Sequence, residues 1–196
     1  MRIGLLFGTF DPPHSAHVNV AEHMLRTQGL HEVWLVVTPL NPFKQHQAIS
    51  PNHHRVAMAQ LAIEGRAGLA VSDFELGLPT PSYTVDTLQA MHERWPEHRF
   101  VLIVGSDNLA SLNRWKNPEG ILAHHDLLVY PRPGADLHQS MSAFQGHPRI
   151  TALHDAPVMD TSSTRLREEL ATGFIPADAL APSVLEYIRK HRLYQS

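Results

Sequence analysis

Two histidines three residues apart, His14 and His17, stand just after the turn-forming run Gly8-Thr9-Phe10-Asp11-Pro12-Pro13 and open an apolar-periodic stretch. Residues at i and i+3 share a helix face, so both imidazoles can point at one object. The start of a helix presents free N–H groups and positive potential, which suits a phosphate. Gly8 admits close backbone approach there, and Pro12-Pro13 stiffen the turn. A second cluster, Ser162-Ser163-Thr164-Arg165-Leu166-Arg167, sets consecutive hydroxyl residues before another helix, with Arg167 in its first turn. Hydroxyls, helix N–H groups and a forked guanidinium can together grip phosphate oxygens. Each cluster also has a plainer reading. The first can be a Gly/Pro turn with solvated histidines, in a chain that holds 15 of them. The second can be ordinary N-capping beside a solvated arginine.

The hydrophobic pattern supplies a frame for these residues. Apolar runs at 3–7, 33–37, 69–72, 100–104, 127–130 and 150–153 read as buried strands. Between them lie helical patterns: Val18, Ala21 and Leu25; a helix opened by Ser50 as N-cap with Pro51 at its first position; and one from Ser82 to about Arg94, stopped by Pro96. Two further helices, 163–171 and 182–190, close the chain, and residues 135–149 carry the least pattern and read as an irregular excursion. Continuous apolar strands alternating with helices predict an α/β fold, a Rossmann-like doubly wound parallel sheet with helices on both faces. Such sheets bind ligands at the C-terminal ends of their strands, where both clusters follow. A single domain over 1–196 is expected, its last two helices (about 163–191) packing as a C-terminal appendage.

The composition removes several classes of function. Of 196 residues, 43% are hydrophobic and 18% charged, ordinary for a soluble domain. A net charge of −3 gives no general attraction to nucleic acid or an anionic membrane, so neither is an expected partner. The absence of cysteine removes disulfides, thiolate zinc sites and a cysteine nucleophile. His14 and His17 lack a third ligand at metal-binding spacing, and the adjacent pairs His53-His54 and His124-His125 are expected to diverge on a helix. No protein-bound metal is expected. No secretory leader or membrane span is legible, so a cytoplasmic location is expected, and a homo-oligomer is left open.

Gly8, Phe10, Pro12, His14 and His17 resemble the GxFxPxHxGH signature of nucleotidyltransferases, with Ala16 where that family usually has glycine. Residues 162–167 resemble the SSTxIR signature of nicotinate-nucleotide adenylyltransferases, with Leu166 for isoleucine. Between them, Thr38-Pro39 with Asn41-Pro42 and Lys44 resembles the family's loop after the second strand. Tyr83-Thr84-Val85-Asp86-Thr87 resembles its YTxDT element, and Gly105, Asp107 and Trp115 its GxDxxxxxxxW element. Arg132-Pro133-Gly134, Tyr187-Ile188 and Leu193-Tyr194 also fit.

The resemblance implies an enzyme of NAD biosynthesis that joins nicotinate mononucleotide to the adenylyl part of ATP and releases pyrophosphate. It implies that His14 and His17 meet the ATP phosphates, with Gly8, Thr9 and Phe10 around them. Arg167, Ser162 and Thr164 would hold the β/γ end, and Gly105 and Asp107 would lie near the adenylate ribose. Asn41 and Lys44 would approach the mononucleotide phosphate, with Trp115 against its ring and Thr84 near its carboxylate. His14, His17, Lys44 and Arg167 would then form the catalytic set. Mg²⁺ would accompany ATP, held mainly by phosphate oxygens. Taken singly, the middle elements also read as turn, capping or core chemistry. The alternatives are an adenylyltransferase for nicotinamide mononucleotide or a phosphopantetheine-type substrate, and a nucleotide-sensing module without turnover.

Overall fold

In the computed structural model, which describes residues 1–39, 49–174 and 178–195, the apolar runs form one parallel sheet. Its strands are β1 (Arg2–Gly8), β2 (Glu32–Val37), β3 (Leu69–Ser72), β4 (Arg99–Gly105), β5 (Asp126–Tyr130) and β6 (Ile150–Ala152). Their order is β3-β2-β1-β4-β5-β6. Every neighbouring pair is parallel. The first crossovers step outward from β1 to β3, and the chain then returns to lay β4 on the other side of β1. That reversal opens a crevice between the C-terminal ends of β1 and β4.

The pleat explains why the strands are apolar throughout. Leu6, Leu35, Val101, Ile103 and Leu128 join one core, while Leu5, Val36, Leu102, Leu127 and Val129 join the other. The first core is closed by α1 (Ser15–Thr27), α2 (Asn52–Ala62), α7 (Ser163–Ala171) and α8 (Pro182–Lys190), through Met24, Met58, Leu166, Val184 and Ile188 among others. The second is closed by α3 (Thr84–Arg94), α4 (Ser106–Ala110), α5 (Pro118–His124) and α6 (Leu137–Ser142), through Leu88, Leu109, Ile121 and Leu137. Gly4 is required inside β1, because a Cβ there would lie 2.7 Å from Leu30 and 2.8 Å from Ile103. Among the described residues no helix is long and apolar enough to cross a membrane.

Four local expectations need correction. Residues 135–149 contain α6, because the Asp136 side chain caps it by accepting from the N–H groups of His138 (2.8 Å) and Gln139 (3.3 Å). Ser50 is not a helix cap. Pro51 occupies that position, and Ser50 turns its N–H to Asp11 and its carbonyl to Arg55. The third long helix starts at Thr84 rather than Ser82, since Tyr83 is still extended at φ −115°. His53 and His54 do not diverge. Their rings lie 4.0 Å apart on the first turn of α2, and His54 Nδ1 lies 2.9 Å from the Tyr187 hydroxyl of α8.

Candidate active site

A cavity of about 420 Å³ occupies the crevice, a size ordinary for a small-ligand site. Its walls bring together Gly8, Thr9, Phe10, His14 and His17 from β1 and α1, Ser162, Thr164 and Arg167 from α7, and Thr84, Asp107 and Trp115 from the opposite layer. Residues far apart in the chain therefore converge. Gly105 lies at the end of β4 beside them, while Asn41 and Lys44 lie outside the described residues.

Gly8 serves a packing purpose beside the one its sequence context suggests. A Cβ on it would come within 2.8 Å of the Phe10 ring, so the missing side chain makes room for that ring. Phe10 is 1% exposed, has φ +49°, and meets the His17 ring edge-on at 4.9 Å. A bulky residue in the left-handed region is strained and persists only where packing holds it. The buried ring is thus a support beneath His17.

The two imidazoles stack at 3.8 Å with 28° between their planes. His14 Nδ1 is buried without a partner among the described residues. Burial, with the Arg132 charge adding to it, pulls the His14 pKa from 6.5 down to about 3. At physiological pH this ring is neutral, a hydrogen-bonding group rather than a cation. The His14 N–H donates to His17 Nδ1 (3.2 Å), so in neutral His17 the ring proton resides on Nε2. The N–H of Ser15 is already taken by the Ala179 carbonyl (2.8 Å), so α1 reaches the cavity mainly through its side chains.

Arg55, which the sequence reading passed over, fixes this loop from behind. It is 0% exposed, yet lies on the first turns of a helix where a solvated arginine would be unremarkable. Its guanidinium donates to the carbonyls of Thr9 (2.6 Å), Thr38 (2.8 Å) and Ser50 (3.0 Å) and to the Asn52 side chain. The loops after β1 and β2 and the entry to α2 are thereby tied at one point.

Helix α7 is sewn to the same loop. Ser163 Oγ donates to the Pro12 carbonyl (2.9 Å), and Arg167 donates to the Asp11 carbonyl (2.7 Å) and to Thr164 Oγ1 (3.3 Å). Ser162 caps the helix by accepting from the Arg165 N–H (3.3 Å), which leaves its own O–H able to donate. Arg165 points elsewhere, pairing with Glu169 (2.8 Å) and Asp160 (3.7 Å). Substituting lysine at Arg167 is therefore expected to lower kcat/KM by about tenfold or more, since an ammonium cannot hold both the loop carbonyl and an anion in a planar fork. The same change at Arg165 is expected to stay within about twofold, as its pair is exposed. Equal losses in steady-state assays would refute the distinction.

Across the cavity, the first N–H groups of α3 precede its first backbone bonds, those of Asp86 (3.0 Å) and Thr87 (3.1 Å) to the Tyr83 carbonyl. Lys116 pairs with Asp86 (2.7 Å) and lies 5.0 Å from the Tyr83 ring, next to Trp115. Beneath this turn lies Glu75, 2% exposed, which accepts from the Thr87 hydroxyl (2.8 Å). Burial raises its pKa against the opposing hydrogen bonds of Thr87 and Ser82. Gly105 also makes room for side chains, because a Cβ there would lie 2.4 Å from Asp107 and 2.6 Å from Arg132. Arg132 itself lines the cavity with Nε 3.9 Å from Asp107, a further cation near any bound anion. In sequence it was marked only as part of the Arg132-Pro133-Gly134 element; Glu75 carried no signal at all. Among the described residues no group of three or more His, Asp or Glu side chains is placed to hold a metal ion.

A Rossmann-like sheet with stacked histidines and an arginine at its switch point defines a nucleotidyltransferase-type site, and the Cytidylyltransferase-like family model matches residues 5–169. The chain is 41% identical over 195 residues to a probable nicotinate-nucleotide adenylyltransferase of Flavobacterium johnsoniae, covering 100% of both chains. It is 40% identical over 196 residues to one of Christiangramia forsetii, covering 99% of this chain and 98% of the relative. On this similarity it belongs to the nicotinate-nucleotide adenylyltransferase family. Its fold is also that of a Plasmodium falciparum nicotinic acid mononucleotide adenylyltransferase complexed with NaAD, at TM-score 0.80 and 20% identity over 98% of this chain and 97% of the other.

Proposed function

We propose that this protein is a cytoplasmic enzyme that joins nicotinate mononucleotide and ATP into nicotinate adenine dinucleotide and pyrophosphate, a step of NAD biosynthesis. The observation that carries the reading is the single cavity in which His14, His17 and Arg167 meet Trp115 and the start of α3. One group suits a polyphosphate, and the other suits a flat ring bearing an anion.

The 5′-phosphate oxygen of the mononucleotide attacks the α-phosphorus of ATP, and the bond from that phosphorus to the bridging oxygen breaks, releasing pyrophosphate. No enzyme nucleophile is required, so positioning and charge stabilisation supply the catalysis. His17 donates from Nε2 to the transferring group, with neutral His14 beside it. Arg167, Ser162 and Thr164 hold the β/γ end, and Gly105 and Asp107 lie against the adenylate ribose. Trp115 offers a face to the pyridine ring, and the first N–H groups of α3 at Thr84 receive its carboxylate. Asn41 and Lys44 belong to the same scheme through the mononucleotide phosphate. Mg²⁺, held mainly by phosphate oxygens, would supply positive charge beside the leaving pyrophosphate when bound.

Incubating the protein with Mg-ATP and each mononucleotide separately tests this directly. Dinucleotide and pyrophosphate are expected with nicotinate mononucleotide, at a kcat/KM about ten- to hundredfold above that for the amide. The margin comes from a charge-assisted bond of roughly 1.5–3 kcal/mol to the carboxylate, which the amide's own NH₂ cannot replace. A ratio near one would overturn the substrate assignment. ATP binding without pyrophosphate release would instead mark a sensing module.

A further inference from the structure

The C-terminal segment reaches back into the phosphate-facing loop. After α8 the chain reverses through two left-handed residues, Arg192 (φ +52°) and Tyr194 (φ +60°), with the Leu193 N–H donating to the Ile188 carbonyl (3.0 Å). The reversal places Leu193 and Tyr194 against the core formed by α1, α2 and α8. It also delivers the Tyr194 hydroxyl to Asp11 Oδ1 across 183 positions of sequence. Asp11 is 1% exposed, and its other oxygen accepts from the Ser50 N–H (3.1 Å). The Asp11 carbonyl is the group that holds Arg167 at 2.7 Å.

We propose that Tyr194 is a positioning residue. Its phenol fixes the Asp11 side chain, and the Asp11 main chain in turn presents Arg167 to the cavity. The inference rests on the adenylyl-transfer reading only for the meaning of Arg167; the linkage itself is structural. Several observations favour positioning over simple surface packing. The phenol ends on a buried carboxyl rather than in solvent, and that residue bonds through its main chain to a cavity-lining arginine. Burial and the neighbouring Asp11 also push the Tyr194 pKa far above its usual value, so the O–H remains a donor at any physiological pH. An unpartnered buried carboxyl oxygen is costly, so loss of this donor sets Asp11 searching for another partner.

The test is Tyr194→Phe in the full chain, which removes only the oxygen. Amide hydrogen exchange of Thr9, Phe10 and Asp11 is expected to quicken by about tenfold or more, the loss of one hydrogen bond to a carboxylate. In steady-state assays kcat/KM is expected to fall by a comparable factor. In a double-mutant cycle with Arg167→Lys the two losses are expected to be markedly less than additive, because both act through one anchor. Unchanged exchange at Thr9, Phe10 and Asp11, or additive losses in the cycle, would overturn the proposal. Exchange needs no turnover, so a wild-type protein that makes no dinucleotide would refute the proposed reaction while the exchange data still decide the role of Tyr194.

Discussion

Replacing His17 by alanine is expected to lower kcat by about 10²–10³, equivalent to about 2.7–4 kcal/mol of transition-state stabilisation. The geometry makes this side chain the best-prepared donor in the cavity. Its Nδ1 is occupied by the His14 N–H, its face is stacked on His14, and its edge is supported by Phe10. The ring is therefore held in position by its neighbours before any ligand arrives. Because α1 is long and its core residues Val18, Ala21 and Met24 are untouched, the variant should fold, which circular dichroism can check. The drop should fall on kcat more than on the KM for ATP, since the contact matters most where charge develops. Activity within about fivefold of wild type would remove His17 from the transferring group.

Replacing Arg55 by methionine is expected to lower folding stability by about 3–5 kcal/mol, a large part of the roughly 5–15 kcal/mol typical of a domain. Methionine fills similar volume, so the loss is not chiefly a cavity. It comes from leaving the carbonyls of Thr9, Thr38 and Ser50 without their donor, and the buried Asp11 without its neighbouring cation. Urea denaturation should show a lower midpoint with an unchanged slope, because the unfolded chain is little affected. A change below about 1 kcal/mol would show that water replaces the guanidinium, and that the three loops are not fastened at this point. Since the same loops carry the cavity, activity at low temperature should fall as well.

The amino-acid sequence by itself determined the parallel sheet and several of the residues that line its crevice. Uninterrupted short apolar runs such as 100–104, alternating with helical patterns, fit strands covered on both faces, and β4 is such a strand. His14, His17 and Arg167 were legible because their spacing against strand ends and helix starts is local information, and the crevice rule places those ends at one site. What tertiary structure alone decided is how these groups are held. That Gly8 also seats the Phe10 ring was decided by the fold, because the left-handed turn at Phe10 cannot be read from composition. Arg55 drew no attention in the sequence and is buried, because its partners are carbonyls, which no side-chain pattern announces. Asp11 and Tyr194 lie 183 positions apart, and only the packing of α8 on α2 brings them into contact. Hydrophobic period and capping act over a few residues and are written in the chain. Hydrogen bonds to backbone carbonyls and contacts across the sheet depend on where the whole chain folds, and exist only once it has done so.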